Sequence, residues 1–388
     1  MRAYLTLSAV IFCGFVGSGA TMPFQALYAT ALGASLAQVA IVAGVFSLVA
    51  LVAGLTWGRL ADRLGRRKPF VVTAMVGLAT VNVAMAGVPA WPWLVPLRIL
   101  EGMAAGAHQV ASLAMMGDIL EGHPHRARLV GGYRMSGSLA FSVAIVASGW
   151  LAQTVGFRGS YLLAAGVYAT AFLVALSIPE RRGRAMTPAG RAPIAAGFAE
   201  LLRGPLRPLL VLAGSFGLPF AAVYSVWPVW VATELGYGRA VFAQLWGLAA
   251  FVEVPCMLLA GVLVDRLGRR RTFVLGLGAF ALVYLGYAAA PPWPGLVATQ
   301  VLRGFAFAAF TATALTMAID LAPPEARGRA AGLYTTANSL AQISGNWVGG
   351  PLAAALSFRA LFTLAALSAM GAALYSQIAL HHPRHSEK

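Results

Sequence analysis

Apolar residues run along this chain in blocks too long for a soluble core. Each block of about 18 residues or more can cross roughly 30 Å of hydrocarbon as a helix. Such blocks fall at 4–30, 36–58, 69–89, 93–118, 129–154, 159–179, 208–233, 239–263, 272–290, 294–319, 328–354 and 358–380, which predicts twelve spanning helices. The breaks between them are short, and GVPAWPW (87–93) and APPWPG (290–295) carry the Pro and Gly of turns. A β-barrel would instead show segments of about 10 residues with alternating polarity, and none is visible. The longest break lies between Pro179 and Pro208. The pattern therefore predicts an all-α membrane protein: a six-helix bundle over 1–180, a basic linker over 181–207, and a second six-helix bundle over 208–388 with a short tail. Within the linker, IAAGFAELL is a candidate surface helix. The opening MRAYLTLSAVIFCGF has the shape of a signal peptide, but no small-residue cleavage site follows it. It is expected to stay as the first helix.

The two bundles carry related sequence. GRLADRLGRRK (58–68) returns as GVLVDRLGRRR (261–271), so Asp62 maps to Asp265 and Gly65 to Gly268 at a shift of 203. Glu101-Gly102 aligns with Arg303-Gly304 and Asp118 with Asp320 at 202, and Gly131 and Tyr133 align with Gly332 and Tyr334 at 201. Four landmarks in the same order imply an internal duplication in which both halves run in the same direction.

Composition and charge sharpen this picture. The chain is 59% hydrophobic and 10% charged, with mean hydropathy +0.76. Its net charge of +16 could suggest a nucleic-acid partner, but the charges are placed by topology. With the N-terminus in the cytoplasm, one side of the membrane holds Arg2, the 59–68 loop, 126–128, the linker, 266–271, 327–329 and the tail. The other side holds only Arg158, Arg239 and Arg359. This is the positive-inside bias, and it argues for contact with an anionic leaflet rather than nucleic acid. Both termini are expected in the cytoplasm of a bacterial-type inner membrane. Cys13 and Cys256 lie inside apolar blocks and read as small buried side chains. No spacing of metal ligands stands out, and the tail histidines of HHPRHSEK do not supply one.

At GRLADRLGRRK the chain resembles the major facilitator superfamily, whose loop between helices 2 and 3 reads G-x-L-a-D-r-x-G-r-r-k. RILEG (98–102) is similar to that family's helix-4 motif R-x-x-q-G, with Glu101 for the usual Gln. The resemblance covers the whole chain. It implies twelve helices in two pseudo-symmetric bundles, with a substrate site near the bilayer midplane. Inside the family, VWVATELG (229–236), FVEVPCMLLAG (251–261) and YRMSGSLAF (133–141) look like bacterial sugar efflux transporters. The drug antiporters' helix-5 signature ending in G-P-x-x-G-G is missing from FSVAIVASGWLAQ, and GNWVGGP (345–351) echoes it only in helix 11.

The resemblance also implies roles. Gly58 and Gly65 would allow close approach and a tight turn. Asp62 would sit at the positive end of helix 11, and Asp265, beside Gly268, at that of helix 5. Arg66 and Arg269 would complete local ion pairs. Together these residues would act as a conformational latch; the alternative is a solvated basic loop that sets topology alone.

Ionisable residues inside spans are costly in lipid and normally face a cavity or a partner. Arg98, Glu101, Ala105, His108 and Ser112 recur every three or four residues and share one face of helix 4. Arg98 and Glu101, at i and i+3, can pair. Glu253 lies about 20 Å into helix 8 at 1.5 Å per residue. Desolvation disfavours a charged carboxylate, so Glu253, helped by Glu101, is the candidate proton carrier; a paired structural carboxylate is the alternative. Arg134 begins span 5 and Arg303 lies inside span 10. Polar stripes run through span 1 (Ser18, Thr21, Gln25, Tyr28), span 7 (Tyr224, Trp227, Trp230) and span 11 (Asn338, Gln342, Asn346). These make Gln25, Arg98, His108, Arg134, Tyr224, Trp227, Arg303, Asn338 and Gln342 candidates to line a substrate cavity. Interface anchoring for the tryptophans and helix–helix glue for the amides remain open.

The expectation is a monomeric secondary transporter without cofactor, since no G-x-x-x-x-G-K-[ST] loop is present. It would export a small organic solute, sugars or glycosides ahead of lipophilic drugs, in exchange for protons. A proton-coupled uptake symporter of the same fold is the rival reading. No nucleophile–base pair suggests an enzyme.

Overall fold

The structure, a computed structural model, describes residues 2–123, 125–179, 206–322 and 326–379. The linker with IAAGFAELL, and the tail histidines, lie outside the described residues. Helix α1 (Arg2–Thr21) passes through one 3-10 turn at Met22–Phe24 into a short helix at Gln25–Ala31. There follow α2 (Leu36–Leu64), α3 (Lys68–Met85), α4 (Leu94–Ile119), α5 (Arg126–Thr154) and α6 (Phe157–Leu176). The second set is α7 (Arg207–Thr233), α8 (Arg239–Leu267), α9 (Arg269–Ala289), α10 (Trp293–Asp320), α11 (Arg327–Ala355) and α12 (Phe358–Ala379). Each stands where an apolar block predicted it.

Among the described residues ten helices are long and apolar enough to span a membrane. The other two, α4 and α11, carry polar residues such as Arg98, Glu101 and His108, or Asn338, Gln342 and Asn346, along their length. Burial of the apolar windows ranges from 61% in α7 to 17% in α8. Thus α7 is enclosed by protein, while α8 turns most of its surface outward, as a lipid-facing helix should.

Local chemistry sets the breaks. Pro23 has no N–H to continue the α-helical ladder, so the chain tightens to one 3-10 turn and re-enters the helix at Gln25. Ser35 opens α2 with a capping box: its hydroxyl accepts from Gln38 N at 3.4 Å, and Gln38 Oε1 accepts from Ser35 N at 2.8 Å. Gly65 closes α2 in the left-handed region at φ 60°, where a side chain would be strained.

Helices α2 and α4 meet through small residues. A Cβ on Gly102 would lie 3.0 Å from Phe46 O, and one on Gly106 only 2.6 Å from Ala50 O. On the α2 side, Gly54 and Gly58 receive Val110. Both pairs have the G-x-x-x-G spacing that lets backbones approach in lipid. The duplication reappears as packing: α3 packs on α4 and α6, and α9 on α10 and α12.

The chain forms two compact units. The first holds α1 to α6 with Ser225–Phe251, the adjoining parts of α7 and α8; the second holds the rest of those two helices with α9 to α12. Both divisions, at Tyr224/Ser225 and Phe251/Val252, fall where a proline four residues later cannot supply the helical N–H. Pro228 deprives Tyr224 O of that donor, and Pro255 deprives Phe251 O. Within the first unit the 225–251 segment is held firmly. Arg239 Nη1 donates to Ala152 O at 2.8 Å, Arg239 N donates to Gln153 Oε1 at 3.0 Å, and its guanidinium lies 4.0 Å from the Phe157 ring centre.

The α2–α4 contact makes a prediction. Gly106→Ala pushes a methyl into backbone that cannot rotate away, and overpacking of this kind costs about 1–3 kcal/mol. Gly166 in α6 meets nothing within 4 Å, so Gly166→Ala should leave the melting temperature of the detergent-purified protein unchanged or higher while Gly106→Ala lowers it. Equal melting temperatures would mean that the α2–α4 contact is loose.

Candidate functional site

A cavity of 180 Å³ opens inside the first unit between α1 and α4, with Tyr168 of α6 on its wall. Ser18, Thr21 and Gln25 of the α1 stripe reach it, as do Glu101, Ala105 and His108 of the α4 face. The two polar faces expected from sequence thus meet in one space. The 3-10 turn at Pro23 falls between Thr21 and Gln25, so both line the cavity from either side of the break.

The wall of this cavity holds a buried ion pair. Arg98 Nη1 bonds Glu101 Oε2, and the two residues are 3% and 6% exposed. Arg98 is fixed from α2 as well: Nε donates to Val42 O at 3.4 Å, and the guanidinium lies 3.9 Å from the Phe46 ring centre. A charge at this depth survives because opposite charge, carbonyl and ring face all reach it. Glu101 in turn borders the cavity, and a carboxylate with about four lone-pair sites has acceptor capacity beyond its bond to Arg98. His108 Nδ1 lies 3.0 Å from Ser112 Oγ. Its Nε2 presses on α1, where a Cβ on Gly14 would stand 2.8 Å away. Ser18 Oγ lies 3.3 Å from Tyr168 OH and donates to Gly14 O at 2.9 Å.

The second unit carries a different network at the equivalent place. Gln300 and Arg303 occupy the positions of Arg98 and Glu101. Arg303 Nη1 donates to Gln300 Oε1 at 3.0 Å, and Gln300 Nε2 donates to Tyr287 OH at 2.9 Å. The Tyr287 hydroxyl is 3.4 Å from that of Tyr224, whose ring centre lies 4.5 Å from the Arg303 guanidinium. The same i, i+3 geometry thus hosts an ion pair in one repeat and an amide–guanidinium pair in the other.

The remaining candidates are placed as follows. Trp227 is fully buried, with Phe242 and Trp246 ring centres 5.6 and 5.7 Å away in the first unit. Asn338 faces α7, its Oδ1 standing 2.9 Å from where a Cβ on Gly217 would be. Gln342 is half-buried on α11, and Glu253 is half-buried on α8, two residues before Pro255. The side chain of Arg134 lies outside the described residues. Four side chains of these networks escaped the sequence reading: Phe46, Tyr168, Tyr287 and Gln300. Only Gln300 left a signal, its repeat equivalence to Arg98.

In the duplicated loops, charges pair inside each half. Arg67, next to the expected Arg66, bonds Asp118 at 2.7 Å and stands 3.8 Å from Asp62. In the second repeat Arg269 pairs with Asp320. The Arg67 and Asp118 side chains are 22% and 38% exposed, and pairs so solvated contribute about 1 kcal/mol or less, so they can be made and broken in a working cycle. A second anchor repeats too: Lys68 Nζ donates to Leu176 O at 2.7 Å, and Arg270 donates to Gln377 O. Each puts a cation on the negative C-terminal end of the last helix of its half. Gly268, like Gly65, has positive φ, at 83°.

The sequence profile described as the Major Facilitator Superfamily matches residues 7–257 and again 217–388. The chain belongs to that superfamily. It is therefore a multi-pass membrane transporter and not an enzyme. A multi-drug resistance efflux pump PmrA homolog of Lactococcus lactis is 26% identical over 375 residues, covering 90% of this chain and 88% of that protein. A putative sugar efflux transporter of Deinococcus radiodurans is 29% identical over 383 residues, covering 95% of each. The solved structure of a point mutant of the nucleoside transporter NupG superposes with TM-score 0.85 at 15% identity, covering 98% of this chain and 100% of that one. At that identity the likeness speaks to fold alone.

The buried pair yields a stability prediction. Glu101→Gln leaves Arg98 buried without its counter-charge and should cost about 3–5 kcal/mol, seen as a lower melting temperature in detergent. The double replacement Arg98→Met with Glu101→Leu should recover most of that loss. A single variant as stable as the wild type would show that the pair is not desolvated.

Proposed function

We propose that this transporter exports a small hydroxylated solute, a sugar or glycoside, in exchange for protons. The observation that carries the reading is the cavity in which Ser18, Gln25, His108 and Tyr168 surround the carboxylate Glu101. Hydroxyl, amide and carboxylate groups between them donate to and accept from sugar hydroxyls. The relative named a sugar efflux transporter supports the same class. In the second half, Tyr224, Gln300 and Arg303 supply further donors and a ring face.

Protons would be carried by Glu101 and Glu253. Glu101 is bound to Arg98 when ionised; a proton there weakens that bond and changes what the cavity offers a substrate. Alternating access would use the proline-interrupted parts of α7 and α8, with the outer 225–251 segment moving as one piece. On the other side Asp62 and Asp265, turned by Gly65 and Gly268, would latch against the N-terminal ends of α11 and α5. Gly58, Arg66 and Arg269 would hold the loops in shape. Because the pairs within each loop are exposed, they break easily.

A second reading, export of lipophilic compounds, is favoured by the aromatic group around Trp227 and by the relative named a multidrug pump. Ligand that binds the folded state alone raises apparent stability, by about 2.7 kcal/mol at a hundredfold excess over Kd. A panel of sugars and lipophilic cations on the purified protein should therefore show thermal stabilisation by a sugar, lost in Gln25→Ala. Stabilisation by lipophilic cations alone would move the assignment to drug export. In inverted vesicles, proton-driven uptake of that sugar should vanish in Glu253→Gln; full transport there would leave Glu101 as the carrier, and transport in the opposite sense would make the protein a symporter.

A further inference from the structure

A groove of 360 Å³ runs between α2, α3 and α4 of the first unit, apart from the polar cavity. Its floor is Ala74, Ala104 and Ala107, and its rims are Trp57 and Phe70 at one end and Leu100 and Met103 at the other. Leu100 and Met103 are 51% and 40% exposed, on helices that this family buries in a bilayer, so the groove opens sideways to lipid and not to water. Thr73 is the single lining side chain with a hydroxyl, and that group is already engaged with Pro69 O and Phe70 O at 2.9 and 3.3 Å. The groove therefore offers little to a hydrogen-bonding solute. On α4 its lining runs from Leu100 to Ala107, about 10 Å at 1.5 Å per residue, room for part of one acyl chain.

One end of this groove is strongly basic. Pro69 and Phe70, at its mouth, directly follow Arg66, Arg67 and Lys68, and the last turns of α2 add Arg59 and Arg63. Asp62 is the one acid in this run. Arg59, Arg63 and Arg66 are exposed. An apolar, lipid-facing slot that ends beside several exposed guanidinium groups matches one kind of molecule: an apolar chain with an anionic head. We propose that the groove is a specific site for an acidic phospholipid of the leaflet facing the basic loops. One acyl chain lies against Ala104 and Ala107, and the phosphate headgroup sits at the α2–α3 loop. Because Arg67 of that loop bonds Asp62 and Asp118, a bound headgroup lies next to those pairs and bears on how readily they break. The site is independent of what the protein transports.

The test uses the full-length protein in detergent with phosphatidylglycerol and phosphatidylcholine of identical acyl chains. In native mass spectrometry with an equimolar mixture, the wild type should retain at least about fivefold more phosphatidylglycerol, as expected where several Lys and Arg each attract an anionic headgroup by about 1 kcal/mol. Thr73→Trp and Leu100→Trp each fill the groove from its open, lipid-facing side, and each should remove that adduct while leaving the melting temperature of the lipid-free protein within a few degrees. Having two such positions guards against one that fails to fold. Arg59→Gln with Arg63→Gln should keep a lipid adduct but lose the preference between headgroups. Equal retention of the two lipids by the wild type would overturn the headgroup assignment. Undiminished phosphatidylglycerol in both tryptophan variants would overturn the groove assignment. Displacement of the wild-type adduct by a lipophilic cation at micromolar concentration, with no effect of added phosphatidylglycerol on stability, would make the groove a drug entry port instead.

Discussion

Every arrangement in this protein answers to the absence of water in the bilayer core. Backbone groups there must bond within their own segment, which leaves the helix as the unit of construction, and a charge must bring its partner with it. Arg98 and Glu101 meet that demand one helical turn apart on α4, with Val42 O and the Phe46 ring from α2 completing the shell around Arg98. The shell forms because α2 and α4 come within backbone contact, which the paired G-x-x-x-G spacings permit. Had Gly102 and Gly106 carried side chains, Arg98 would stand away from the groups that offset its desolvation. Packing by small residues and burial of charge are therefore one design.

The second half obeys the same constraint with different chemistry. Its Gln300–Arg303 pair keeps the spacing of Arg98–Glu101 but exchanges the carboxylate for an amide, and it enlists Tyr224 and Tyr287 instead. Duplication preserved backbone geometry, the loop ion pairs and the cation on each terminal helix end. It did not preserve the charges inside the membrane.

The interruptions in the helices have the same logic. Pro23 sits where α1 borders the polar cavity, and Pro228 and Pro255 sit where α7 and α8 pass from one compact unit to the other. Pro23 and Pro228 are buried, so protein surrounds their missing N–H groups, whereas Pro255 is exposed on the outward-turned α8.

The sequence by itself determined the twelve helices, their order and the duplication, because a span of hydrocarbon fixes helix length and because GRLADRLGRRK and GVLVDRLGRRR keep their spacing. It also determined the polar faces of α1 and α4, since the helical repeat alone puts Ser18, Thr21 and Gln25, or Glu101, Ala105 and His108, on one side. Tertiary structure decided what those faces meet. Phe46 and Tyr168 come from predominantly apolar stretches, so nothing along the chain marks them as cavity or ion-pair neighbours. The pairing of Arg67 with Asp118 follows from the path of the loop between α2 and α3, which packing fixes and spacing does not. Trp227 reads like Tyr224 in the α7 stripe, yet one is enclosed by Phe242 and Trp246 and the other joins the Arg303 network. Periodicity tells which residues share a face; only the packed partner tells whether that face meets a cavity, a ring or a charge.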